Sequence, residues 1–159
     1  ISKNPIQKKE QTSDEIPLIL DANAYSRISS EQLLNLLGEP KTREDWTNEN
    51  SKGTFQMQIY SYDLEGMYAE FILYEDSVVK IRCFATEPWG IKKDFDNVFK
   101  MFNITVKDSA RKVVDNGITY KFSPVSDAVA EFDVYNFDSE KHTFDSVYIT
   151  YNLNYFDNP

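Results

Sequence analysis

The chain has little of the chemistry from which most catalytic centres are built. It holds one cysteine, Cys83, and one histidine, His142, in 159 residues. A single cysteine excludes an internal disulfide. One residue of each kind excludes a zinc site assembled from cysteine and histidine. A Ser-His-Asp triad would have to be built on His142, which lies between Lys141 and Thr143 with no nucleophile-elbow pattern beside it. Glycine is scarce, at five residues, and forms no phosphate loop or dinucleotide fingerprint. No run approaches the roughly 18 apolar residues of a membrane span. Basic residues are outnumbered 17 to 26, for a net charge of −9. With no basic cluster to displace counterions from phosphate, nucleic acid is not an expected partner, and anionic lipid is disfavoured for the same reason. The sequence calls for no cofactor, no metal and no catalytic residue.

Aromatic residues are plentiful, at 14 %, almost all Tyr and Phe. Such side chains suit a pleated, half-buried surface. The length fits one domain with a core large enough to need no staple. Cys83 follows Val79 and Ile81 on one face of an alternating run, the placement of a buried structural cysteine. Carboxylates such as Asp138, Glu140 and Asp145 crowd one segment but lack calcium-loop spacing.

Residues 1–15 are polar and charged and resemble a tether between a membrane anchor and a folded domain. A chain that begins at Ile1 fits removal of a preceding segment. Ile16 to Leu20, interrupted by Pro17, predicts an extended arm. Ser29 with Gln32 forms a capping box, the leucines 33, 34, 36 and 37 follow at helical spacing, and Gly38 and Pro40 stop the helix. Lys41 to Gly53, with Trp46, reads as a loop. Alternation then predicts strands over 54–62, 67–75 and 78–85. Glu87-Pro88-Trp89-Gly90 breaks the pattern. A second helix is expected over 93–103, with Phe95, Val98, Phe99 and Phe102 on one side. Strands are expected again over 117–123, 128–137 and 144–153. The expected fold is α+β: two helix-plus-antiparallel-meander units in tandem, over 16–86 and 87–159, within one compact domain.

Ser29, Leu33, Leu36, Leu37, Gly38 and Pro40 resemble the helix end of the small SmpA/OmlA-type outer-membrane assembly lipoproteins. Tyr60-Ser61-Tyr62, Phe71 and Val78-Val79 resemble the strands that follow it there. The likeness spans residues 28–84, lacks the usual Gly before the cap, and has Tyr where that family usually has Trp in the aromatic pair. Doubled, such a unit is similar to the β-lactamase inhibitor protein fold. The resemblance implies a secreted or lipid-anchored protein of the cell envelope, working by protein binding, with membrane contact only through a removed N-terminal anchor.

If Phe55, Met57, Ile59, Met67, Ala69, Phe71, Val79 and Ile81 face the helices, the opposite face is rich in aromatics. It would present Tyr60, Tyr62, Tyr68, Tyr74, Arg82, Phe84, Tyr135 and Tyr148 to a protein partner, since Tyr and Arg are enriched at interfaces. An alternative is a small-ligand or carbohydrate-binding domain of the envelope that uses the same rings around a pocket. A third reading pairs Glu70 with Glu131 for hydrolysis.

Overall fold

Alternating apolar and polar side chains build eight strands in this computed structural model, which describes residues 15–159. The strands are β1 (Thr42–Asn50), β2 (Gly53–Leu64), β3 (Met67–Tyr74), β4 (Ser77–Gly90), β5 (Lys112–Asp115), β6 (Tyr120–Phe122), β7 (Glu131–Tyr135) and β8 (Thr143–Thr150). All lie in one antiparallel sheet of order β1-β2-β3-β4-β8-β7-β6-β5. The tether-like segment expected over 1–15 falls outside the described residues but for Glu15.

This sheet corrects the expectation of two tandem helix-plus-meander units. Among the described residues there are only two short α-helices, α1 (Ser30–Leu37) and α2 (Asn97–Lys100). Three local causes explain the difference. The polar stretch expected as a loop is β1, an edge strand whose Arg43, Glu44, Asp45 and Glu49 are exposed. Charge on an edge strand discourages pairing with another chain, so its polarity mimics that of a loop. The helix expected over 93–103 shrinks to one turn, between Lys93 and Asn103, which both adopt positive φ. The Pro88-Trp89 segment does not end β4. The strand passes an irregularity after Phe84 and resumes pairing at Trp89 opposite Phe144.

α1 forms as its sequence dictates. Ser29 Oγ accepts from the Gln32 backbone N–H at 3.1 Å, and Gln32 Oε1 accepts from the Ser29 N–H at 2.9 Å. Gly38 ends the helix at φ +81°, where a Cβ is unfavourable. The helix buries Leu33 in the core on one face of the sheet, the same core that takes Val98, Phe99 and Phe102. The arm lies along this side as well. The Ile19 N–H donates to the Met101 carbonyl at 2.7 Å, and the buried Tyr151 hydroxyl donates to the Ala22 carbonyl at 2.5 Å.

The opposite face is closed over only in part. Met57, Ile59, Ile72 and Val79 form a second, smaller cluster beneath Phe156 of the C-terminal segment. Asn48 and Asn50 clamp that segment, each donating through Nδ2 to the Tyr155 carbonyl, at 2.9 and 2.7 Å. A bulge in the β3–β4 ladder between Ile72 and Leu73 breaks the alternation, so Val78 and Ile81 stay on the helix side while Val79 joins the cluster on the other face. The rest of that face carries the candidate site.

Candidate functional site

Strand register sets this site, because cross-strand partners share a face. One row runs across six strands: Ser61 on β2, Glu70 on β3, Arg82 on β4, Tyr148 on β8, Asp133 on β7 and Lys121 on β6. A flanking row places Tyr68, Phe84, Ser146 and Tyr135 side by side. The row on the other side holds Ile72, Lys80, Thr150 and Glu131.

The rings form a continuous chain. Tyr68 stacks on Phe84 at 6.2 Å between centroids. Phe84 meets Tyr148 edge-on at 6.1 Å, and Tyr148 meets Tyr135 at 4.7 Å. These geometries are favourable for aromatic pairs and hold the rings in fixed positions. Cations lie against them. The Arg82 guanidinium is 5.4 Å from the Trp46 ring, Lys80 Nζ is 5.1 Å from Tyr148, and Lys121 Nζ is 5.7 Å from Tyr135.

The carboxylates have two distinct environments. Glu70 Oε1 lies 2.9 Å from Arg82 Nε as an ion pair. Asp133 is 2 % exposed and Glu131 6 %. Neither lies within ion-pair distance of a cation among the described residues. Burial, and then the neighbouring Glu131, pushes the Asp133 carboxyl up to about 8. Burial also lowers Lys80, against the pull of Asp133 and Glu131. The Tyr135 hydroxyl, raised chiefly by burial, donates to Asp133 Oδ2 at 3.4 Å.

Three buried side-chain polar atoms among the described residues lack an aligned hydrogen bond, Ser61 Oγ, Arg82 Nε and Asp133 Oδ1, although Arg82 Nε is ion-paired with Glu70 at 2.9 Å. All three belong to the central row. Natural folds leave few such atoms, so their gathering in one line on one face marks that line as unusual.

Five of the eight residues expected at the partner face are brought together here: Tyr68, Arg82, Phe84, Tyr135 and Tyr148. Tyr60 and Tyr62 are not with them. They are 5 % and 4 % exposed and pack in the helix-side core, where the Tyr62 hydroxyl donates to the Gly38 carbonyl at 2.9 Å and steadies the end of α1. Tyr74 is on the open face, but its ring is held by Tyr155 at 4.4 Å and Phe55 at 5.7 Å, against the C-terminal segment. Phe55, Met57 and Ile59, expected beneath the helices, likewise line the opposite face or its cluster. Sequence reasoning passed over Ser61, Trp46, Asp133 and Lys121. The signal for Asp133 was present: a carboxylate amid Phe132 and Val134 in a strand that is buried on both faces.

Glu70 and Glu131 are not neighbours in the sheet, and Glu70 is instead paired with Arg82. β3 and β7 are separated by β4 and β8. That places the two backbone positions about 14 Å apart. Among the described residues, cavities of about 610, 590 and 420 Å³ open elsewhere and are lined by none of the eight residues.

No family model matches the chain, and no curated protein matches it. Among solved structures it is similar to an extracellular protein containing an SCP domain from Bacillus anthracis str. Ames, at 18 % identity and a TM-score of 0.46, covering 86 % of this chain and 46 % of that one. It is also similar to a cysteine-rich secretory protein from Staphylococcus aureus subsp. aureus Mu50, at 10 % identity and a TM-score of 0.45, covering 86 % of this chain and 52 % of that one. The chain spans about half the length of each.

Proposed function

We propose that this chain is a non-enzymatic binding module that works outside the cytoplasm and contacts another protein through the open face of its sheet. The observation that carries the proposal is the ring chain Tyr68-Phe84-Tyr148-Tyr135 beside Arg82. A sheet face that meets only water has no use for four half-buried rings in contact, one pair stacked and two pairs edge to face. Tyr, Phe and Arg in one cluster are what protein interfaces concentrate, because they offer large contact area with a polar handle. An extracytoplasmic setting accords with the polar composition of residues 1–15. The small-ligand alternative needs a pocket lined by these rings, whereas the cavities of about 610, 590 and 420 Å³ are lined by other residues.

The test replaces Tyr68, Phe84 and Tyr148 with Ala together. The expected result is loss of capture of a protein partner from a cell-envelope extract, with a folded far-UV spectrum. Capture equal to that of the parent chain rejects the face.

A further inference from the structure

Residues 153–157 are held by the rest of the molecule as a bound peptide would be. They lie outside the eight strands, and among them only Phe156 is buried. Their polar anchors come from the β1–β2 hairpin. Asn48 and Asn50 donate to the Tyr155 carbonyl, and Lys52 Nζ donates to the Leu153 carbonyl at 2.8 Å. The Ser51 backbone N–H donates to Asp157 Oδ1 at 3.1 Å, and the Ser51 hydroxyl donates to the same oxygen. These two bonds hold the Asp157 carboxyl below the usual carboxylate range.

The seat reads three consecutive side chains. The Tyr155 ring completes a triangle with Phe55 and Tyr74, at 5.1 and 4.4 Å between centroids. Phe156 lies on the apolar floor of Met57, Ile59, Ile72 and Val79. Asp157 meets the Ser51 turn. Aromatic anchors in desolvated places, with backbone and carboxylate clamps beside them, are how folded domains recognise short peptides. The seat also borders the ring chain, because Lys80 Nζ lies 4.6 Å from the Phe156 ring and 5.1 Å from that of Tyr148. A strand in the middle of the sheet is lost only with the sheet. A segment attached by one buried ring and by side-chain hydrogen bonds belongs to the low-stability end of a fold and opens without it.

We propose that the seat under residues 155–157 is a peptide-binding site that the chain's own segment occupies as a displaceable latch, and that it takes a partner segment of the same chemistry, two adjacent aromatic side chains followed by a carboxylate. This rests on the open face being the contact surface. A partner that covers the ring chain meets the seat across Lys80, and exchange of the latch for its own segment extends the contact towards β1. A tethered segment competes at a millimolar effective concentration. The latch therefore excludes partners that lack the second anchorage on the rings.

The test is an NMR titration of the isotope-labelled full chain carrying Tyr155→Ser and Phe156→Ser with the octapeptide of residues 152–159. The expected result is saturable shifts of the Asn48 and Asn50 side-chain amides and of the Ser51 amide, with affinity at least about tenfold weaker for the parent chain, whose own segment competes. A peptide carrying Asp157→Asn binds about tenfold more weakly, the loss of a charge-assisted hydrogen bond. If the double variant fails to fold, the parent decides. Peptide in excess of the tethered segment's effective concentration then shifts the labelled Phe156 amide and leaves that of Phe71 in place. Absence of saturable shifts at the hairpin in the folded variant, or of a Phe156 shift in the parent, overturns the inference. So does equal binding of a scrambled octapeptide. Dimerisation of the parent through exchanged segments, read by sedimentation, overturns the partner assignment in favour of a second copy. Should the ring variant lose its envelope partner while the octapeptide fails to bind, the face stands and the latch falls.

Discussion

Arg82 and Glu70 stand directly opposite one another on β4 and β3, with Nε 2.9 Å from Oε1 and about a fifth of each side chain exposed. Half-buried pairs of this kind hold a cation in register beneath an aromatic ring, here Trp46. Glu70→Gln is expected to lower stability by about 1 kcal/mol, since partial exposure screens the pair. In a double-mutant cycle with Arg82→Gln, read from urea midpoints, the double variant should lose less than the sum of the two single losses.

Asp133 makes stability depend on pH. Its carboxyl titrates near 3.8 when exposed and at about 8 in the fold. Between those values the folded chain binds more protons than the unfolded one. Its contribution to stability is therefore complete below about 4 and is lost as pH rises through about 8. Denaturation midpoints across this window should fall with pH in the parent chain. Asp133→Asn should flatten this part of the profile, leaving the slopes of other groups.

Tyr151 ties the N-terminal arm to β8. Its hydroxyl is buried and donates to the Ala22 carbonyl, 129 residues away in sequence. Tyr151→Phe keeps the ring but leaves that carbonyl without this donor. The expected loss is about 1–2 kcal/mol by thermal or urea unfolding.

Cys83 should be inert while the chain is folded. It is fully buried, and burial pushes its thiol up to about 12, so almost no thiolate is present at neutral pH. A colourimetric thiol reagent should label it only as fast as the sheet unfolds.

How far the sequence could be read depended on whether one face or two were buried. α1 was plain, because its cap, leucine spacing and terminating Gly38 all agree. β3 and much of β4 were plain for the same reason. β2 was not. Phe55, Met57 and Ile59 alternate as though facing the helices, yet Tyr60 and Tyr62 take that side. Both sets are buried, one by the helix layer and one by Phe156, which arrives from the other end of the chain. Period-two reasoning identifies a strand but cannot tell which of two apolar faces meets which cover. β1 and β5 were missed because polar edge strands look like loops. The candidate site was half visible. Its rings announced themselves by composition. The Ser61-Arg82-Asp133 line exists only once β4 pairs with β8 and brings β7 into register.

The most direct test compares two variants in the same capture experiment. One replaces Tyr68, Phe84 and Tyr148 with Ala on the open face. The other replaces Leu18, Leu36 and Ile118, exposed apolar residues outside that face, with Ala. Loss of the envelope partner by the first variant alone is the predicted result. Retention of the partner by the first variant, or loss by the second alone, would contradict the assignment of the open face as the contact surface.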